Sequence, residues 1–127
     1  MVSAAAEFEG GYTSPMLDEA TFRRESDNAL ETLKQAIIAA EDNSGGFEFE
    51  DNNGVMNILF ENGSSKFVVT PNTPVRQIWI SAQATSFKLE WSESAQRFVL
   101  PKTGEALIPL TERLLREHLG DANIKLS

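Results

Sequence analysis

The chain has 127 residues, no cysteine, 41% hydrophobic side chains and a formal net charge of −8. That length suits one domain able to bury roughly two-thirds of its unfolded surface, and the apolar fraction is too high for the charge to signal disorder. Lacking cysteine, the chain has no disulfides, thiolate metal sites, cysteine nucleophiles or directly ligated iron–sulfur clusters. No apolar run approaches the roughly 20 residues that span a bilayer.

The charge is unevenly spread. Residues 1–61 carry thirteen acids against three bases, a formal −10, whereas residues 62–127 carry six against eight, a formal +2. The acids recur on one predicted helix and the strand after it, so they are expected to form a single field. Such a surface repels nucleic acid and anionic lipid and attracts cations or basic protein partners, so neither a nucleic acid nor a membrane is expected as partner.

In chain order, residues 1–14 contain Ala4–Ala6 and two acids but no Arg or Lys. Secretory signals and organelle transit peptides both need basic residues, so this stretch reads as a disordered leader or an expression remnant ahead of a single domain at 15–127. From Asp18 the pattern turns helical. Phe22, Ser26, Ala29, Leu30, Leu33, Ile37 and Ala40 make one apolar stripe, Asp18 is the predicted N-cap, and Asn43-Ser44-Gly45-Gly46 stops the helix. After Gly46 the period becomes two. Phe47 to Glu50 alternates apolar and acidic, Asp51-Asn52-Asn53-Gly54 reads as a hairpin turn, and Val55 to Phe60 returns. Glu61-Asn62-Gly63 turns again into Phe67-Val68-Val69. Strands follow at Gln77–Ser81, Phe87–Trp91 and Arg97–Leu100, with Ser92–Ser94 as a turn. A second helix is expected from about Glu105 to His118, with Leu107, Leu110, Leu114 and His118 on its apolar stripe and Gly120 closing it.

The order helix, about six antiparallel strands, helix predicts an α+β two-layer sandwich: two helices cover one sheet face and leave the other in water. Alternation sends Met56, Ile58, Phe60, Ile78, Ile80, Phe87, Leu89, Trp91 and Phe98 toward the helices. It sends Asn57, Gln77, Trp79, Lys88, Glu90 and Arg97 to the open face. Trp79, a large aromatic on a polar face, is therefore expected to be exposed and a contact residue.

The segment Thr73-Pro74-Val75-Arg76-Gln77-Ile78-Trp79-Ile80-Ser81 resembles the signature strand of the frataxin family. Leu17-Asp18-Glu19-Ala20-Thr21-Phe22 resembles the family's first-helix start, and Gly54-Val55 with Glu61-Asn62-Gly63 its second strand and turn. Lys88-Leu89-Glu90-Trp91 and Thr103-Gly104-Glu105-Ala106-Leu107 resemble the fifth strand and the approach to the closing helix. The likeness spans Leu17 to Asp121, with five motifs in register.

What the resemblance implies is a small protein that binds iron weakly and assists or regulates iron–sulfur cluster assembly. The implied partners are the cysteine desulfurase and the scaffold protein, and the implied state is a monomer, with iron-dependent oligomers in some relatives. Carried over position by position, the implied iron ridge comprises Asp18, Glu19, Asp27, Glu31, Glu41 and Asp42 on the helix and Glu48 and Glu50 on the strand. The implied partner face comprises Gln77, Trp79, Lys88, Asn57 and Asn72. Two departures stand out. Lys34, Gln35, Ile38 and Ala39 occupy positions where relatives often carry acids, and Thr70-Pro71-Asn72 replaces the family's Asn-Lys-Gln. Arg23 and Arg24 also interrupt the ridge.

Hard cations take carboxylate and water oxygens, so an all-oxygen site here holds Fe²⁺ or Fe³⁺ loosely and accepts other divalent cations. The one histidine, His118, falls on the other helix, so no two-His-one-carboxylate set can form. Asp27 and Glu31, four residues apart, share a helix face and can reach one ion. Two alternatives stay open: ferroxidase or iron-storage activity, the only enzymatic reading, and an acidic adaptor that binds protein without metal. Length and the missing transit peptide point to the cytoplasm, with the mitochondrial matrix as the alternative for a processed eukaryotic form.

Overall fold

The computed structural model describes residues 17–126, so the expected leader at 1–14 lies outside the described residues. Helix α1, Glu19–Ser44, begins where Asp18 accepts the Thr21 backbone N–H at 2.7 Å, the predicted cap. It ends at Gly45, whose N–H returns to the Glu41 carbonyl. Six strands follow, β1 Phe47–Asn52, β2 Val55–Phe60, β3 Phe67–Asn72, β4 Gln77–Ala82, β5 Thr85–Ser92 and β6 Arg97–Val99. A single 3-10 turn, Thr73–Val75, separates β3 from β4, and helix α2 spans Leu107–Leu119. The sheet is antiparallel throughout and its spatial order follows the chain, β1 to β6. The helix–strands–helix order and the open six-stranded sheet agree with the sequence pattern.

Strands β4, β5 and β6 differ from the expected spans by one or two residues at their ends, and three further boundaries differ for a local reason. The first hairpin is tighter than four residues: Asn52 pairs with Val55, and only Asn53 and Gly54, both at positive φ, make the turn. Strand β3 runs three residues further than the apolar triplet because Thr70, Pro71 and Asn72 pair with Trp79, Ile78 and Gln77. Helix α2 starts two residues late. Glu105 is held outside it by a two-bond contact with Arg113 (2.7 and 2.9 Å) and by the Thr103 hydroxyl (2.9 Å).

The core lies between the helices and one sheet face. Phe22, Leu33 and Ile37 of α1 meet Ile58, Phe67, Val69, Ile78, Ile80 and Leu89 of the sheet and Leu110, Leu114 and Leu115 of α2, all fully buried. Phe22 and Phe98 meet edge-on at 5.7 Å. Two expected core residues, Phe87 and Trp91, are only half-buried against this cluster. Trp91 packs its ring on Phe98 while its indole N–H reaches Glu93 at 3.0 Å, so the side chain sits at the rim where its polar end stays solvated.

The C-terminal tail adds to the core without any periodic signal. Ile124 and Leu126 are each 1% exposed. Arg116 donates to the Ile124 carbonyl at 2.7 Å, and Glu112 accepts the Leu126 N–H at 2.9 Å, so two α2 side chains strap the tail down.

Candidate functional site

The open sheet face is built by the side chains that alternate with the core set. Register places Asn72, Gln77 and Glu90 in one cross-strand row, Thr70, Trp79 and Lys88 in the next, and Glu50, Asn57, Val68, Ser81 and Ser86 in a third. Trp79 is half-buried, not fully exposed as its sequence context predicts. Its neighbours account for the difference. The indole N–H donates to Gln77 Oε1 at 2.7 Å, and the Lys88 ammonium lies 4.9 Å from the ring centroid. Gln77 in turn donates from Nε2 to Glu90 Oε2 at 3.0 Å. Four side chains from β4 and β5 thus form one connected patch.

Asn57 corrects a second expectation. Alternation assigns it to the open face, but it is 3% exposed, and its amide bonds weakly to the nearby Val55 carbonyl at 3.4 Å. It occupies β2, inside the sheet, with Glu50 and Val68 as its cross-strand neighbours, and so short a side chain does not emerge between them. Asn72 lies at the end of β3 opposite Gln77 and is partly exposed.

Among the described residues the acids do not converge on one point. Phe47 is buried and Phe49 packs on the core, so alternation turns Glu48 and Glu50 to the open sheet face while Asp27, Glu31 and Asp42 stand on the outer surface of α1. Several carboxylates are already engaged. Glu19 pairs with Arg23 at 2.8 Å, Glu31 accepts from Gln35 at 2.8 Å, and Glu50 accepts from Asn52 at 3.0 Å. Glu41 accepts the Phe49 backbone N–H at 2.7 Å, tying α1 to the edge strand. Asp18 is spent on its cap; the Thr21 N–H holds its carboxyl below the ordinary range, with smaller help from Arg24 and Arg76. Among the described residues no group of three acidic or histidine side chains converges as a metal cluster. Among the described residues, Asp27, Asp42 and Glu48 are the exposed carboxylates of the implied ridge outside these contacts.

Three contacts escaped the sequence reading. Glu90 anchors Gln77, as above. Arg76, at positive φ, donates to the Leu17 and Thr73 carbonyls and so fastens the approach to α1 onto the 3-10 turn before β4. His118 bonds the Ser64 hydroxyl at 2.7 Å and packs on Phe60 and Phe67, which accounts for its half-burial on the α2 stripe. Each joins segments remote in sequence, where only cross-strand or helix-to-loop geometry could have found it.

A family model described as a frataxin-like domain matches residues 15–121. The chain belongs to the frataxin-like family. Its relatives include proteins named iron-sulfur cluster assembly protein CyaY. The one from Azotobacter vinelandii is 28% identical over 105 residues, covering 83% of this chain and 92% of that protein. The one from Pseudomonas fluorescens strain Pf-5 is 29% identical over 110 residues, covering 87% and 94%. Among solved structures, a frataxin from Psychromonas ingrahamii superposes with a TM-score of 0.68 at 14% identity, over 87% of this chain and 99% of that one. That likeness carries the fold: the frataxin-like arrangement of two helices over a six-stranded sheet is the one seen here.

Proposed function

We propose that this frataxin-like protein is an iron-binding accessory of iron–sulfur cluster assembly that docks through its open sheet face on the cysteine desulfurase and scaffold protein. Family membership and relatives named for iron–sulfur cluster assembly support the general role. The observation that carries the docking surface is Trp79. It is a half-buried indole on a polar sheet face, locked by Gln77 and covered by Lys88, where neither the core nor a helix needs it.

Iron here is cargo. Exposed, unclustered carboxylates such as Asp27, Asp42 and Glu48 offer hard oxygen donors that attract Fe²⁺ and release it readily. That chemistry suits handing metal on more than retaining it. Asp18, Glu19 and Glu41 contribute field more than coordination, since each already serves a cap, an ion pair or a strand.

The test is the binding of Trp79→Ala to the host's cysteine desulfurase, measured by calorimetry. Loss of binding with unchanged circular dichroism and unchanged response of the melting temperature to anaerobic Fe²⁺ supports the reading. Binding equal to the wild type removes the sheet face from the mechanism.

A further inference from the structure

The geometry points to Glu90 as a positioning residue for the docking face: its carboxylate fixes the Gln77 amide and, through it, the orientation of the Trp79 indole. The inference rests on the docking reading above for its purpose, but its physical content concerns this chain alone.

An amide side chain can turn over and exchange its oxygen and nitrogen, so Gln77 by itself offers the indole either an acceptor or a donor. Trp79 Nε1 can only donate and an ionised carboxylate can only accept. In the observed arrangement every group is matched: Trp79 Nε1–H donates to Gln77 Oε1 at 2.7 Å, and Gln77 Nε2 donates to Glu90 Oε2 at 3.0 Å. Turning the amide over would set two donors against each other at the indole and two acceptors at Glu90. Glu90 therefore selects the one amide orientation that holds the ring. Gln77 and Glu90 are directly opposed across β4 and β5, as are Trp79 and Lys88 one row on, so the strand pairing sets the spacing.

Two consequences follow. The indole N–H is already occupied, so a partner meets the ring surface and its rim, not that donor. The ring is also kept beside the Lys88 ammonium, 4.9 Å from its centroid, so a partner meets an aromatic surface and a cation as one preset unit. Preset side chains lose less entropy on binding, which is how a residue that fixes its neighbours can raise affinity.

The test uses the intact protein and the indole N–H resonances in NMR, with Trp79→Phe to assign them and the Trp91 indole, which donates to Glu93, as internal control. Glu90→Ala is expected to speed solvent exchange of the Trp79 indole proton by about three- to tenfold, as loss of one net hydrogen bond implies. Trp91 should be unaffected. Glu90→Gln, whose amide oxygen can still accept from Gln77, should return exchange to within about twofold of the wild type. Unchanged Trp79 exchange in Glu90→Ala, or failure of Glu90→Gln to restore it, overturns the positioning role. Because no partner is present, those results are independent of whether Trp79→Ala loses the desulfurase. If the positioning role holds and the docking reading is also right, Glu90→Ala weakens that binding several-fold and Glu90→Gln does not.

Discussion

Glu41, near the end of α1, accepts the backbone N–H of Phe49 in the middle of the edge strand β1, at 2.7 Å. β1 ends the sheet, so its outward amides would otherwise face solvent or another chain. A carboxylate from a helix closes one of them. The residue that the frataxin resemblance implies as an iron ligand therefore has a structural task that comes first.

Glu41→Ala is thus expected to destabilise the metal-free protein by about 1–2 kcal/mol, with a melting temperature lower by roughly 3–8 °C. Glu41→Gln, which keeps an acceptor, should lose less. Thermal unfolding in chelator checks this. A metal-free melting temperature unchanged in Glu41→Ala would assign Glu41 to the surface field alone.

Glu105 gives the fold an acid-sensitive joint. Arg113 donates two hydrogen bonds to its carboxylate and lowers its titration point below the ordinary 4.5, against burial, with help from the Thr103 hydroxyl. A folded-state value lower than the unfolded one adds stability that is complete above 4.5 and is lost as pH falls through the folded value. Glu105→Gln should therefore flatten the acid limb of stability below about pH 4.5, and added salt should shrink the difference because the Arg113 side chain is 42% exposed. Urea unfolding of both proteins between neutral pH and about pH 3 measures it. Parallel acid limbs would rule the joint out.

The contrast between Glu41 and Phe22 shows what the sequence could disclose. Phe22, Leu33 and Ile37 were legible because a helix buries residues at three- and four-residue spacing, and the strand faces were legible because alternation is geometric. The role of Glu41 was hidden because it depends on how the end of α1 lies against β1, eight residues on. Asn57 was placed on the correct face but not at the correct depth, since alternation says which way a side chain points and nothing of what stands around it. Glu48 and Glu50 alternate with two phenylalanines that face the core, so the same rule that found the strand also separates these acids from those of α1. Trp79 stands out in the sequence as a large aromatic on a polar strand face, but its cover by Lys88 and Gln77 depends on the register of β4 on β5.

The tail makes a sharper prediction. Ile124 and Leu126 are two of the most buried side chains, and their removal would also strip Arg116 and Glu112 of their backbone partners. Truncation after Ala122 should cost about 3–6 kcal/mol, from roughly 1.5–3 kcal/mol for each buried aliphatic side chain. A melting temperature lower by at least about 10 °C is expected in a thermal scan. A truncated chain that melts as the full one does would show the tail to be dispensable.

The β4–β5 turn offers the opposite sign. Ala82 pairs with Thr85, leaving Gln83 and Ala84 as a two-residue turn with φ of 54° and 62°. Both sit in the left-handed region, where a side chain crowds the backbone by about 1 kcal/mol and glycine does not. The first hairpin solves the same geometry with Asn53-Gly54, the pair such turns favour. Gln83→Asn with Ala84→Gly should therefore stabilise the protein by about 1 kcal/mol. The relief of two strained residues outweighs the extra freedom glycine gives the unfolded chain. The melting temperature should rise by roughly 3–6 °C with an unchanged denaturant slope. Because Ser81 and Ser86 flank this turn on the open face, two strand positions from Trp79, the variant also tests whether the docking patch tolerates a relaxed turn. Tighter folding with unaltered Trp79 indole exchange is the expected result, and a lower melting temperature would mean that the strain is absorbed elsewhere in the hairpin.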